Sequence, residues 1–277
     1  MKSLLIFMFF FLTLFTINAH AVQGAYLIAE IPVAVFNTPA AAEAKKTLKR
    51  DACGQARALE FIAQEGTVFE VKRRMGNGKN PVFEVSTTRY MAPQGIRLYL
   101  SSHGVRALTE KPDVATPAMP EFRTVLKNLR SATGSPYVWG GNVRKGIKLP
   151  DEDNAYAGLD CSGLLYEATN GYTPRNTSEL VNFGKPVPVA GLGREQIIAR
   201  LKPLDLIVWN GHVIIVLDSH EVVESTLWCG RPGNGGVITM PLRQRLGEIM
   251  TRRKGVDNWP EGGGKPLLFV VRRWAEP

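Results

Sequence analysis

The sequence has few of the residues that most often carry nucleophilic or metal chemistry: three cysteines and four histidines in 277 residues. No Cys-x-x-Cys pair or His/Cys cluster has the spacing of a structural metal site. The glycine-rich stretches around Gly235 and Gly263 lack the spacing of a phosphate-binding loop and its strand–helix context, so we interpret them as turns. The sequence therefore predicts no metal and no cofactor.

Long apolar runs are also missing after the first 21 residues. Leu4 to Phe15 is almost unbroken in its apolar character, follows Lys2, and precedes the small-x-small triplet Ala19-His20-Ala21. This is typical of a secretory signal peptide over residues 1–21. No cysteine follows the cleavage site, and no later segment reaches the ~20 apolar residues that a membrane span needs. We expect an exported, periplasmic or cell-wall-associated protein without a transmembrane segment or a lipid anchor.

Acidic residues are outnumbered, which gives a formal net charge of +9. Such a surface suits anionic polymers such as the cell wall, lipopolysaccharide or nucleic acid. Export argues against nucleic acid, so the expected partner is an anionic cell-wall surface. The alternative is a basic surface with no dedicated partner. The basic stretch Arg243 to Lys254 is interpreted as a solvated helix that could contact the same surface.

The segment Leu108 to Phe122 contains three prolines and no hydrophobic periodicity, which is typical of a linker. The predicted organisation is a small β domain over residues 22–107, a linker over 108–121, and an α+β domain over 122–277. Short stretches rich in β-branched and aromatic residues predict the strands of the first domain. A helix is predicted within it over Ala40 to Asp51, which is rich in alanine and lysine.

Cys161 lies at the start of a predicted helix. Asp160 is a good N-cap residue, and Asn170-Gly171 is a stop signal. The first turn of a helix lowers a thiol pKa and offers free N–H groups to an oxyanion. Three roles are open for Cys161: a small buried hydrophobe, half of a disulfide, or a nucleophile. An odd cysteine count leaves at least one thiol free or paired between molecules. Cys53 and Cys229 could bridge, which would leave Cys161 free.

His212 is the histidine best placed to partner a thiolate. His20 leaves with the signal peptide, and His103 and His220 are expected at surface positions. His212 follows Asn210-Gly211, the strongest short hairpin signal, and opens an otherwise apolar strand. The alternative for this residue is a hydrogen-bonded histidine at the end of a strand.

Glu224 is the candidate that orients the imidazole. If Asp218 to His220 is a three-residue loop, His212 and Glu224 project from the same face of adjacent strands. A two-residue loop would place them on opposite faces. A carboxylate on the second ring nitrogen fixes the tautomer and stabilises the imidazolium. The alternative is a surface charge on an edge strand.

Three motifs in order resemble the NlpC-type cysteine peptidases of bacterial cell walls, which have a papain-like fold. They are Tyr-x-Trp-Gly-Gly beginning at Tyr137, Asp-Cys-Ser-Gly beginning at Asp160, and Gly-His-Val beginning at Gly211. The resemblance covers roughly residues 122–274. It implies that Cys161 is the nucleophile, His212 the base and Glu224 the third polar residue. It also implies that Tyr137 binds substrate, as do Asp160 and Ser162, the pair beside the nucleophile.

The resemblance implies an exported peptidoglycan hydrolase that cleaves the γ-D-glutamyl–diamino acid bond of cell-wall stem peptides. Residues 58–105 in turn resemble a bacterial Src-homology-3-like barrel, a targeting module; the alternative is an unrelated small β domain. Two other functions remain open. One is an amidase or acyltransferase that uses the same Cys–His chemistry, and the other is a non-catalytic wall-binding protein.

The chain departs from the family pattern at three places. Glu224 stands where the family most often has histidine. Leu204 replaces a glycine in the turn before the His212 hairpin. The loop Val143 to Gly158 is longer than usual; it could line the cleft, but we interpret it as a solvated insertion.

Overall fold

The computed structural model describes residues 25–43, 48–76, 80–150, 152–230, 234–260 and 267–276. The expected signal peptide and the glycine-rich residues 261–265 lie outside them. Within the described ranges the protein is mixed α and β, with mostly antiparallel sheets. Every helix in these ranges is too short or too polar to cross a membrane. The papain-like arrangement stays a prediction.

One sheet, in the order β3-β2-β6-β5-β4-β1-β7, accounts for the strands described before residue 109. Its pairs are antiparallel, and each strand places apolar side chains on a shared core. The Src-homology-3-like character of this part stays a prediction. The strands are β1 (Tyr26–Ala29), β2 (Val33–Phe36), β3 (Leu59–Ala63), β4 (Val68–Met75), β5 (Val82–Ser86), β6 (Leu98–Ser101) and β7 (Val105–Leu108).

A second sheet, in the order β12-β18-β13-β14-β15-β16, dominates the rest of the described chain, and β17 pairs in parallel with β18. Residues 109–120 form neither helix nor strand. The strands of this sheet are β12 (Lys185–Val187), β13 (Leu206–Trp209), β14 (His212–Val216), β15 (Glu221–Leu227), β16 (Gly235–Pro241), β17 (Lys254–Gly255) and β18 (Leu268–Arg273). The short pairs are β8 (Asn142–Val143) with β11 (Gly158–Leu159) and β9 (Ile147–Leu149) with β10 (Glu152–Ala155).

Helices cover both faces of the second sheet. One face packs against α2 (Phe122–Ser131), α3 (Cys161–Ala168) and α4 (Thr177–Leu180), and the other packs against α5 (Arg194–Ile198) and α6 (Leu242–Met250). Val213 and Ile215 of β14 pack with the first group of helices, whereas Ile214 and Val216 pack with the second, the period-2 pattern of a strand buried on both faces. The remaining helix, α1 (Pro39–Ala42), belongs to the first sheet.

The predicted helix over Ala40 to Asp51 is wrong in its extent. The structure has only α1 before the undescribed residues 44–47, and Leu48 to Arg50 are not helical. The Asp51 carboxylate accepts hydrogen bonds from the N–H groups of Cys53 and Gln55, both at 2.9 Å. This local turn competes with a helix for the same backbone groups.

The loop Val143 to Gly158 is not a solvated insertion, so that interpretation is wrong. It contains the β9–β10 hairpin, whose Ile147 and Ala155 are buried with residues of the first sheet. The Tyr156 ring meets the Phe36 ring edge-on, with centroids 6.1 Å apart. The apolar face of the hairpin is therefore part of the contact between the two halves of the chain.

Polar groups also tie the two halves together. The Asn142 side chain accepts from Ile62 N–H at 2.9 Å and donates to Ile62 C=O at 2.8 Å, so a buried amide extends β3. Gln55 Oε1 accepts from the N–H of Trp139 at 2.9 Å. Cys53 and Cys229, separated by 176 residues, form a disulfide.

Leu204 adopts φ +69°, the left-handed conformation that glycine favours. Its side chain is fully buried, and its N–H donates to Val216 C=O at 2.8 Å. Burying a leucine contributes roughly 1.5–3 kcal/mol, which outweighs a strain of about 1–2 kcal/mol at such a position. This explains how leucine replaces glycine in the turn.

We expect loss of the Cys53–Cys229 disulfide to destabilise the fold, because the bond closes a loop of most of the chain. Replacing both cysteines by serine should lower the free energy of unfolding by about 2–5 kcal/mol. Denaturant unfolding of the two proteins measures this difference. Reductant should shift the native midpoint and leave that of the variant unchanged; equal midpoints without reductant would contradict the expectation.

Candidate active site

Cys161 is the first residue of α3, as predicted, and Asp160 is its N-cap. The Asp160 carboxylate accepts from Gly163 N–H at 2.7 Å. The Cys161 side chain is mostly buried, and its sulfur lies 3.9 Å from the Gly211 carbonyl oxygen. All three cysteines of the chain lie in described residues, and Cys161 is the free one. The thiol therefore lies at the N-terminus of α3, beside the N–H groups of its first turn.

A buried ion pair holds the start of α3. Arg175 Nη1 and Nη2 donate to the two Asp160 oxygens at 3.0 and 2.7 Å. Nη1 also donates to Ser162 Oγ at 2.7 Å. Burial lowers the pKa of Arg175, but the Asp160 charge outweighs it and raises that pKa, so the guanidinium stays charged. Asp160 and Ser162 are thus engaged by Arg175, and their role in substrate binding stays a prediction.

Two glycines permit close packing behind Cys161. A Cβ on Gly163 would lie 2.0 Å from the Gly141 carbonyl oxygen. Gly140 adopts φ +71°, a Cβ there would lie 2.6 Å from the Leu59 carbonyl oxygen, and its N–H donates to Asp160 Oδ2 at 3.0 Å. The Trp-Gly-Gly and Cys-Ser-Gly motifs therefore have a steric reason to contain glycine at these positions.

Two hairpins deliver His212 and Glu224. Trp209 pairs with His212 across the two-residue Asn210-Gly211 turn, as predicted. Val216 pairs with Val222, so that a three-residue loop at 218–220 joins β14 to β15, and the predicted same-face placement is confirmed.

His212 Nε2 lies 2.5 Å from Glu224 Oε2. Glu224 is only 1% exposed, and β15 lies between β14 and β16. The alternative of an edge-strand surface charge is therefore wrong.

Arg245 contacts Glu224 from the far side. Its Nε lies 2.6 Å from Oε1, and its Nη2 donates to Oε2 at 2.9 Å. This guanidinium comes from α6, within the basic stretch Arg243 to Lys254. The predicted helix is present, and Arg243 and Glu248 on it are exposed to solvent. Its other face is not solvated, because Leu242, Leu246 and Ile249 are buried against the sheet.

The charges of this group shift its pKa values. Burial lowers the pKa of His212, but hydrogen bonds and charges from Cys161 and Glu224 outweigh it and raise that pKa from 6.5 to about 9. Burial raises the pKa of Glu224, but His212 and Arg245 outweigh it, so the net shift is downward. Because Nε2 is occupied by Glu224, Nδ1 is the ring nitrogen left for the thiol. The arrangement therefore favours the imidazolium form of His212 at neutral pH.

The Trp209 ring shields one side of the imidazole. Its centroid lies 5.3 Å from that of His212, and the Arg253 guanidinium lies 4.2 Å from the Trp209 ring centroid. Trp209 therefore limits the access of water to that side of His212. A low local dielectric strengthens the interaction between its charge and its partners.

Tyr137 is mostly buried near Cys161. Burial raises the pKa of its hydroxyl, and the negative charges of Asp160 and Cys161 add to the rise. The hydroxyl therefore stays protonated and can donate a hydrogen bond. Tyr137 also lines a cavity of about 750 Å³ between the two halves of the chain, together with Ala34, Gln55, Lys148 and Tyr156.

Arg175 and Arg245 were not predicted from the sequence. Arg175 lies between the second and third motifs, and nothing in its local pattern indicates a buried arginine. The only signal for Arg245 was the apolar face of α6, which predicts burial on one side. His103 and His220 are exposed, away from this group. Within the described residues, no cluster of three or more His, Cys, Asp or Glu side chains could hold a metal.

Solved structures similar to this chain include NlpC/P60 proteins. One is an NlpC/P60 family protein from Bacillus cereus (15% identity, TM-score 0.34), where the match covers 91% of this chain and 64% of that protein. A second is the P60 domain of a Mycobacterium avium subspecies paratuberculosis antigen (23%, 0.31), with 55% and 93% covered. A third is Mycobacterium tuberculosis RipD (18%, 0.34; 55% and 95% covered), described as a non-catalytic NlpC/p60 domain protein adapted to peptidoglycan binding.

No family model matches the chain, and no characterised protein matches its sequence. The chain spans 64% of the length of the Bacillus cereus protein. Likenesses of this size carry no residue role or activity over to this chain. The chemistry of the site therefore has to follow from its own geometry.

We expect Arg175→Met to destabilise the protein by about 3–5 kcal/mol, because it leaves the Asp160 carboxylate buried without its partner. Asp160→Asn combined with Arg175→Met should cost less than the single Arg175→Met. Denaturant unfolding of the single and double variants measures both effects. Equal stabilities of the native protein and Arg175→Met would show that the pair is not needed.

We expect the His212 imidazole to titrate at lower pH in a Cys161→Ala variant. In the native protein the imidazolium persists up to about pH 9 and is lost above it. Removal of the sulfur deletes an acceptor and a negative charge, while burial still lowers the pKa. Imidazole NMR signals followed against pH measure the shift. An unchanged titration would mean that Cys161 and His212 are not coupled.

Proposed function

We propose that the chain is an exported cysteine endopeptidase of the NlpC/P60 type that cleaves the γ-D-glutamyl–diamino acid bond of peptidoglycan stem peptides. The observation that carries the chemistry is the contact series from Cys161 at a helix start through His212 to a buried Glu224. The three motifs of the sequence carry the choice of family and substrate. The proposed roles are nucleophile, base and orienting residue, respectively.

In the proposed mechanism, His212 takes the thiol proton and the Cys161 thiolate attacks the amide carbon. N–H groups at the start of α3, with the protonated Tyr137 hydroxyl nearby, stabilise the oxyanion. The imidazolium then protonates the leaving amine as the C–N bond breaks, which leaves a thioester on Cys161. Water, deprotonated by His212, hydrolyses the thioester and releases the acid and the thiol.

The interdomain cavity is the proposed site for the acyl part of the peptide. It is lined by Tyr137, by the first sheet and by the β9–β10 hairpin. Pockets for small molecules and peptides are commonly found between domains. In this proposal, the first half of the chain helps to set how much peptide fits, and its basic surface helps to hold the enzyme on the anionic wall.

The test is mass spectrometry of muropeptides digested with residues 22–277 and with the Cys161→Ala variant. The native protein should release the diamino acid from the D-Glu position, and the variant should not, because the acyl-enzyme cannot form. Equal cleavage by the variant would show that Cys161 is not the nucleophile.

The other functions give different results in the same samples. Transfer of the acyl group to an added amine, without net hydrolysis, would indicate an acyltransferase. Binding of muropeptides without any change in their mass would indicate a non-catalytic wall-binding protein.

A further inference from the structure

Arg245 completes a group of four charges, with Cys161, His212 and Glu224, that spans four elements of the fold. Glu224 Oε2 lies 2.5 Å from His212 Nε2 and accepts from Arg245 Nη2 at 2.9 Å. Arg245 Nε lies 2.6 Å from Oε1, so the guanidinium approaches both carboxylate oxygens. Arg245 lies on α6, outside the three motifs that carry the family resemblance. The carboxylate is thus held between a base and a permanent cation.

A carboxylate that is 1% exposed is costly to ionise without partners. His212 offsets the negative charge of Glu224 only in part, because a general base is positively charged in only part of a reaction cycle. Arginine stays charged at every pH in which the fold survives. Its hydrogen bond from Nη2 also holds Oε2, the oxygen that faces His212.

The charges that face Glu224 and His212 explain why a cation matters here. Cys161 faces the imidazole from α3, and Arg245 faces the carboxylate from α6. Glu248 lies one turn along α6, with Oε2 at 3.1 Å from Arg245 Nη1, and is 45% exposed. When Cys161 is a thiolate and His212 an imidazolium, their charges and those of Glu224 and Arg245 add up to zero. Without Arg245, an additional negative charge would oppose the thiolate.

We propose that Arg245 is a positioning residue that offsets the charge of Glu224, so that an acidic residue can stand where the resembled family most often has histidine. The proposal rests on the pairing of Cys161 with His212 that the proposed function requires. It assigns to Arg245 no contact with substrate.

The measurement is the rate of Cys161 alkylation by iodoacetamide as a function of pH, because Cys161 is the free thiol of the chain. Arg245→Met should move the rise of the rate about one unit to higher pH, so that the rate on the acid side of that rise falls about tenfold. Arg245→Lys, which keeps the charge, should stay within about threefold of the native rate.

The decisive comparison is the same substitution in a Glu224→Gln background. There Arg245→Met should change the rate less than about threefold, because the charge that it offsets is gone. The matched control is Arg243→Met, since Arg243 lies on the same helix, is exposed, and pairs with Glu195 at 2.7 Å. It should alkylate at the native rate.

Equal losses in both backgrounds, or a native rate for Arg245→Met, would overturn the proposal. If Arg245→Met does not fold by circular dichroism, Arg245→Gln takes its place with the same expected outcomes. Alkylation requires no peptidoglycan. If the native protein does not cleave muropeptides, the proposed substrate is overturned, but the effect of Arg245→Met on alkylation still stands. The alkylation rates alone decide the role of Arg245.

Discussion

The rest of the site depends on the hydrogen bonds and the ion pair that the Asp160 carboxylate makes. It caps α3 through Gly163, accepts from Gly140 in the Trp-Gly-Gly turn, and pairs with the buried Arg175. These contacts join three separate segments of the chain at the residue before Cys161. Removing one partner would leave part of a buried charge uncompensated, which is costly, so these contacts support one another.

The candidate active group lies at one end of the second sheet. Helix α3 packs on one face of the sheet, whereas Glu224 and Arg245 lie on the face that α6 covers. His212 opens β14 directly after the Asn210-Gly211 turn, on the same face as Glu224. The Cys161 sulfur lies 3.9 Å from the Gly211 carbonyl oxygen of that turn, so the start of α3 meets the imidazole at the end of the strand.

The two halves of the chain are joined by contacts of several kinds rather than by the linker alone. A buried asparagine extends β3, the β9–β10 hairpin packs on the first sheet, and a disulfide connects Cys53 to Cys229. Of these contacts, the β9–β10 hairpin also lines the cavity that Tyr137 lines.

The sequence by itself determined the local parts of this site. The N-cap at Asp160 and the Asn210-Gly211 hairpin depend on neighbouring residues, so propensity and periodicity sufficed to predict them. The length of the loop after β14 was left open by the sequence, and the register of β14 with β15 decided it. The tertiary structure alone decided that Arg175 and Arg245 are the counter-ions, that the Val143 to Gly158 loop is packed, and that Cys53 meets Cys229. Those pairings join residues far apart in the chain, and no local pattern records which distant side chain will neutralise a buried charge.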